Sequence, residues 1–284
     1  MTRFSLEDLK SRFGLSYHLD YLQLAEDAIG LRGKRVLEVG GGLPKELVID
    51  IFGAAQWIGI EEAGYWQEKQ AGEASDVAQN QTAADLPIRQ ATPDALGTHA
   101  VLGGSVENLP DALAGHFDVV FSIAAFEHIN RFPEALDRMH AALRQGGKLF
   151  SRFAPIWSSH HGHHIPVITD QSGKRFTFSQ SPIPPWGHIL MREGQLYQHL
   201  LQHTDQKTAS EIIYYVYHSP QINRLFTEDY LDYFTASPFK TLLLEGVYNV
   251  EDTPASQKLL NELRKIYPTR TFSNYGIYAL LEKP

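Results

Sequence analysis

The chain has 284 residues, with 33 acidic against 25 basic side chains, a formal charge of −8 and a pI near 5.9. That balance argues against a broad phosphate-binding surface, which needs clustered Lys and Arg. Apolar residues at 43% and charged residues at 20% fit a globular protein with a sizeable core, as one large domain or two small ones. Cysteine is absent, so disulfides, thiolate metal sites, iron–sulfur clusters and cysteine nucleophiles are excluded together.

Residues 1–33 read as a helical cap. Phe4, Leu6, Leu9 and Phe13, then Leu19, Leu22, Leu24 and Ile29, recur at helical spacing, with Gly14, Gly30 and Gly33 as breaks. The opening MTRFSLEDLKSR holds no apolar run of signal-peptide length, and no stretch of about 18 apolar residues occurs anywhere. A cytoplasmic protein with no membrane partner is the expectation.

From 34 to 154 apolar runs alternate with helix-like stretches. The runs are Arg35–Val39, Gln56–Ile60, His99–Leu102, Phe117–Ser122 and Lys148–Phe153. Strands this apolar, separated by helices, predict parallel βαβ units covered on both faces, wound right-handedly into a doubly wound α/β sheet. The stretch 63–98, rich in Ala, Gln, Asp and Thr, is longer than one crossover needs and reads as a surface insertion.

Residues 155–190 are rich in Pro, His, Ser and Gly, and read as a long ordered loop. Helices are predicted at about 191–203, 208–218 and 227–236. A strand at Lys240–Glu245, a helix at about 254–266 and a strand at Tyr275–Leu281 should rejoin the first sheet. The organisation expected is thus a cap over 1–33, a core over 34–154, a substrate lid over 155–238 and completing strands over 239–284.

Residues 36–45, VLEVGGGLPK, are a strand running into a glycine turn, the place where open α/β sheets bind nucleotides. Taken alone it leaves three readings open. A dinucleotide fingerprint starting at Gly40 and Gly42 needs glycine at 45, where Lys45 stands. An adenosylmethionine loop prefers an acid two residues before the first glycine, and Glu38 is there. The third reading is a plain strand-to-helix turn.

Later segments extend the pattern. Trp57–Glu61 (WIGIE) ends a second strand in an acid, Gly104–Pro110 (GSVENLP) follows a third, Phe117–His128 (FDVVFSIAAFEH) forms a fourth and its following loop, and Leu143–Leu149 (LRQGGKL) leads into a fifth. With Glu38–Gly42, this ordered series resembles the class I S-adenosylmethionine-dependent methyltransferases. The resemblance implies a Rossmann-like, seven-stranded, mostly parallel sheet whose last strand is antiparallel, with helical lid elements before and after it. It implies S-adenosyl-L-methionine as cofactor. Glu38, Gly40, Gly41 and Gly42 would surround the methionine moiety, Glu61 would bind the ribose hydroxyls, Ser105 and Val106 would read the adenine, and Ser122, on the fourth strand, would also bind the cofactor. Two departures stand out: Pro44 takes the third-glycine position, and Ser105 stands where the family usually has aspartate.

Methyl displacement asks mostly for alignment, plus a base where the nucleophile carries a proton. His128 falls at the sheet's edge, and the cluster His160, His161, His163 and His164 is the most unusual feature of the chain. Catalysis is assigned to His163, His164 and His128. Substrate contacts are assigned to Tyr17, Trp157, His160 and His188. No metal is assigned, because no nearby acid completes a ligand set and adjacent side chains diverge in an extended loop.

Neither Asn-Pro-Pro-Tyr nor Asp-Pro-Pro-Tyr follows the fourth strand, so methyltransferases acting on base or glutamine amino groups are disfavoured. A small-molecule acceptor remains, with nucleic acid disfavoured by charge. Alternatives are a relative that attacks another sulfonium carbon and releases methylthioadenosine, a non-catalytic binding module, and a nicotinamide dehydrogenase, against which Lys45 counts.

Overall fold

The computed structural model describes residues 5–62, 84–247 and 253–284; residues 63–83 of the expected insertion lie outside the described residues. The chain opens with α1 (Leu6–Phe13) and α2 (Tyr17–Ile29). Ser5 starts α1 through a capping box: its hydroxyl accepts from the Asp8 N–H and Asp8 Oδ2 accepts from the Ser5 N–H, both at 3.1 Å. Gly14, in the left-handed region at φ 63°, ends it.

The core then runs β1 (Arg35–Val39), a π-helical turn at Glu46–Ile51, β2 (Gln56–Glu61), β3 (Leu86–Pro87), β4 (His99–Gly103), β5 (Phe117–Ile123), α3 (Phe132–Ala142) and β6 (Leu143–Phe153). The remainder is a small hairpin, β7 (Ile168–Thr169) and β8 (Arg175–Phe176), then α4 (Gly187–Leu190), α5 (Glu193–Leu200), α6 (Gln206–Ile213), α7 (Thr227–Ala236), β9 (Lys240–Val247), α8 (Pro254–Ile266) and β10 (Gly276–Glu282).

The main sheet has the order β3-β4-β2-β1-β5-β6-β10-β9, and only β10 runs against its neighbours. Among the described residues it therefore has eight strands, not the expected seven. The additional one is β3, which pairs Leu86 with Leu102 and Pro87 with Gly103 at the outer edge. Pro87 has no N–H to continue a ladder, which keeps β3 at two residues and confined to an edge. So short an element leaves no apolar run in the sequence.

Period-two alternation divides the strands between two apolar layers. Leu37, Val39, Ile58, Ile60 and Val120 point to the face covered by α3 and α7. Val36, Trp57, Val119 and Phe121 point to the face covered by α1, α2 and the 46–51 turn. Burial on both sides is why these strands read as continuous apolar runs. The segment 155–190, expected as a loop, holds β7, β8 and α4, and Trp157, Ile165 and Phe176 join α5 and α6 in a separate apolar cluster. Among the described residues, no helix is long and apolar enough to cross a membrane.

The last residues lock the sheet to α3. Lys283 Nζ donates to the carbonyls of His140 and Leu143, both at 2.8 Å, where the helix leaves its final acceptors unpaired. Lys283→Met should lower unfolding free energy by about 1–2 kcal/mol. Urea titration checks this, with an unchanged slope expected.

Candidate active site

Strand order reverses between β1 and β5, so the crevice of this fold opens over the C-terminal ends of those strands. A cavity of about 450 Å³ lies there, within the size range of small-molecule sites. Its wall takes Val39 and Gly40 from the end of β1, Ile60 and Glu61 from β2, Gly104–Asn108 from beyond β4, and Ala124, Ala125 and His128 from beyond β5.

The glycine turn is built by close backbone approach. The N–H groups of Gly40 and Gly41 both donate to the Ile60 carbonyl, at 3.1 and 3.2 Å, so the turn lies down across β2. Gly59 permits this, since a Cβ there would stand 2.4 Å from the Gly41 carbonyl oxygen. Gly40 has φ 89°, and a Cβ on it would stand 2.1 Å from Ala125 Cβ. Gly40→Ala combines a disfavoured φ with overpacking. It should cost about 2–4 kcal/mol of stability, read from denaturant unfolding.

Glu61 presents its carboxylate at the cavity wall, and partial burial raises its pKa. It has neither an ion pair nor a side-chain hydrogen bond among the described residues, and its backbone carbonyl takes the Gly104 N–H at 2.8 Å. Glu62 and Glu107 add two more carboxylates to the wall, and Arg131 lies 3.9 Å from Glu107. Ser105 donates its hydroxyl to Glu107, while Val106, buried at 3% exposure, supplies an apolar surface between them.

The sequence itself matches a known family over part of this region. Residues 67–151 match the family model of the methyltransferase domain. Over those residues the chain is similar to a methyltransferase domain. The glycine turn and Glu61 precede the matched range, so they rest on their own geometry. A protein of Haemophilus influenzae is 30% identical over 132 residues, 46% of each chain, so the chain spans about half the length of that curated relative. Among solved structures, an S-adenosylmethionine-dependent methyltransferase from Mesorhizobium loti aligns over 98% of both chains at 14% identity and a TM-score of 0.43. One from Archaeoglobus fulgidus aligns over 97% of this chain and 98% of its own, at 12% identity and 0.45.

The remaining residues singled out from the sequence fall into three places. Gly40, Glu61, Ser105, Val106 and His128 line the cavity. Glu38 and Ser122 lie beneath it. The Ser122 hydroxyl donates to the Val39 carbonyl at 2.8 Å, tying β5 to β1. Glu38 is buried, and its Oε2 takes both the Leu43 N–H at 2.8 Å and the Trp57 indole N–H at 2.6 Å. Gly41 and Gly42 form the turn, and Gly42 sits where a Cβ would meet Val101 at 2.8 Å.

The histidine cluster is split by its backbone. Gly162 packs where a Cβ would stand 2.3 Å from the Ile156 carbonyl oxygen, which folds the segment tightly on itself. His164, at φ 48°, turns toward His128, with ring centroids 4.9 Å apart. His163 is 1% exposed and packs against His188 at 5.6 Å, and neither lines the cavity. Burial lowers both pKa values, that of His188 to about 4. His160 is also lowered to about 4, by burial and then by His161, and stands beside Trp186 and Tyr275. Trp157 lies in the apolar cluster with α5 and α6, edge-on to His188 at 4.6 Å. The Tyr17 hydroxyl, at the start of α2, is pushed up to about 12 by burial and by the charge of Glu127.

One part of the site had no motif to announce it. The loop 219–224 reaches over the turn after β5: the Asn223 N–H donates to the Glu127 carbonyl at 2.9 Å, and its side chain donates to the carbonyls of Phe126 and Ile129. Asn130 donates to the Pro220 carbonyl at 2.7 Å, and Pro220 and Gln221 complete the cavity wall. Arg224 in turn donates to the carbonyls of Val216 and Ser219 at 3.0 and 2.8 Å, fixing the loop. Serine, proline and asparagine are common loop residues, and nothing in their spacing marks these contacts.

Proposed function

We propose that the protein transfers a methyl group from S-adenosylmethionine to a small molecule within this cavity. The observation that carries the reading is the Glu61 carboxylate at the C-terminal end of β2, beside a switch-point cavity floored by the Gly40 turn. A carboxylate offers two acceptors in a fixed fork, which suits paired ribose hydroxyls. Ile60, Val106 and Ile129 offer apolar surface suited to an adenine.

When bound, the cofactor supplies an electrophilic methyl carbon on a positive sulfur. The chain's own part is to hold the acceptor in line, exclude water and take up the acceptor's proton. His128 is the histidine on the cavity wall. Its Nδ1 lies 2.5 Å from the Gln221 carbonyl, which can only accept, so Nδ1 carries the proton and Nε2 is the basic nitrogen. Glu61, Glu62 and Glu107 on the wall oppose a polyanionic acceptor, which together with the chain's charge favours a small molecule over nucleic acid.

The test is mass spectrometry of the nucleoside product after incubation with S-adenosylmethionine and pools of amines, acids and phenols. Adenosylhomocysteine formed together with a product heavier by one methylene unit is expected. Methylthioadenosine, or tight binding with no product from any pool, would overturn it.

A further inference from the structure

The turn after β5 and the histidine segment after β6 bring together three side chains that a nucleotide site does not require. Glu127 is fully buried, and it stands with His128 and His164 so that one ligating atom from each lies within 4.8 Å of the others. Both imidazoles are oriented by backbone. His128 Nδ1 donates to the Gln221 carbonyl at 2.5 Å, and His164 Nε2 donates to the Pro155 carbonyl at 2.8 Å. Each ring therefore turns its basic nitrogen away from that carbonyl, Nε2 in one and Nδ1 in the other. A histidine whose other ring nitrogen is held by a backbone carbonyl is the usual arrangement of a metal ligand.

We propose that Glu127, His128 and His164 form a binding site for one divalent transition-metal ion at the edge of the cavity. Two neutral imidazoles and one carboxylate suit zinc, iron or nickel rather than magnesium or calcium, which prefer oxygen ligands throughout. The set is drawn from two segments 36 residues apart in sequence, whose His128 and His164 rings meet at 4.9 Å, and the 219–224 loop holds the first segment through its bonds to Phe126, Glu127 and Ile129. His164 adopts a left-handed backbone conformation at φ 48°, which is what turns it out of the histidine run toward Glu127. Three protein ligands leave open positions, and His128 lines the cavity, so an acceptor's oxygen or nitrogen has access to the ion. A heteroatom bound there gives up its proton to solvent water more readily, and His128 then acts as a ligand rather than as the base. This last consequence rests on the proposed methyl transfer; the metal site itself does not.

The experiment is equilibrium dialysis of the chelator-stripped protein against Zn²⁺, with Co²⁺ as a spectroscopic probe of geometry. One ion per chain is expected, with visible Co²⁺ bands of a low-coordinate site. His164→Ala and Glu127→Gln should each weaken binding by at least about 10–100-fold, while His161→Ala, in the same run of histidines, should retain it. The thermal shift given by adenosylhomocysteine is measured on every variant, and its persistence shows that the variant is folded. No stoichiometric ion in the wild-type protein, or equal loss in His161→Ala and His164→Ala, would overturn the site. An intact adenosylhomocysteine shift without metal binding would sink the metal site alone. Metal binding without any adenosylhomocysteine shift would sink the proposed function and leave the metal site standing.

Discussion

Replacing Glu61 with alanine is expected to remove most of the thermal stabilisation that adenosylhomocysteine gives the protein. At a hundred times its dissociation constant a ligand adds about 2.7 kcal/mol to folding stability, a rise in midpoint of about 5–10 °C for a domain of this size. Two hydrogen bonds to a charged acceptor are worth about 3 kcal/mol together, so their loss weakens binding by roughly 100-fold. At the same ligand concentration the variant is then only half saturated, and the stabilisation falls to about 0.4 kcal/mol. Glu61→Gln keeps one acceptor and should fall between the two. Differential scanning fluorimetry with adenosylhomocysteine, and NAD in a parallel series, reads all of this. A full shift in Glu61→Ala would refute the ribose role, and a shift with NAD instead would replace the cofactor.

Much of this arrangement is legible in the sequence because it rests on short-range signals. The β1 strand at Arg35–Val39 is apolar on both faces because it lies at the centre of the sheet. The helix at Pro254–Ile266 is announced by Thr253, whose hydroxyl accepts from the Ser256 N–H at 3.1 Å, and by proline at the first helical position. Glu61 is marked by its place at the end of an apolar run. What escapes is set by long-range packing. β3 exists only because β4 offers it an edge, and the 219–224 loop matters only because folding places it over the turn after β5. In the histidine run the residue type is visible but direction is not, since an irregular segment has no period to say which side chain faces where. His163 and His164 are neighbours in sequence, yet one packs inward against His188 and the other faces His128.

Glu38 makes the second large prediction, one of stability and pH. Its carboxyl is pushed up to about 7 by burial, with the charge of Glu61 adding and the N–H groups of Leu43 and Trp57 opposing. Both donors converge on Oε2, while Oε1 lies 2.7 Å from where a Cβ on Gly41 would stand. A neutral acid, or a glutamine whose amide oxygen takes the Oε2 position, keeps both bonds. The folded-state pKa is above the unfolded value near 4.5, so the protonated form is the one the fold favours. Its contribution is complete below about pH 4.5 and is lost as pH rises through about 7, a span worth roughly 3 kcal/mol at most. Glu38→Gln should therefore match the wild type at low pH, exceed it increasingly up to about pH 7 and keep a constant margin above that. Taking the difference between the two proteins at each pH cancels the other carboxyls, including Glu61, whose pKa is also raised by burial. Glu38→Ala is different in kind, because it leaves two buried N–H groups without an acceptor and should lie about 3–5 kcal/mol below Glu38→Gln at every pH. Since Leu43 and Trp57 are the groups released, the 40–44 turn would lose its tie to β1 and keep only the Gly40 and Gly41 bonds to Ile60. Urea unfolding across pH 4–8 is the measurement. A difference between wild type and Glu38→Gln that does not change with pH would show that folding leaves the pKa of this carboxyl at its unfolded value.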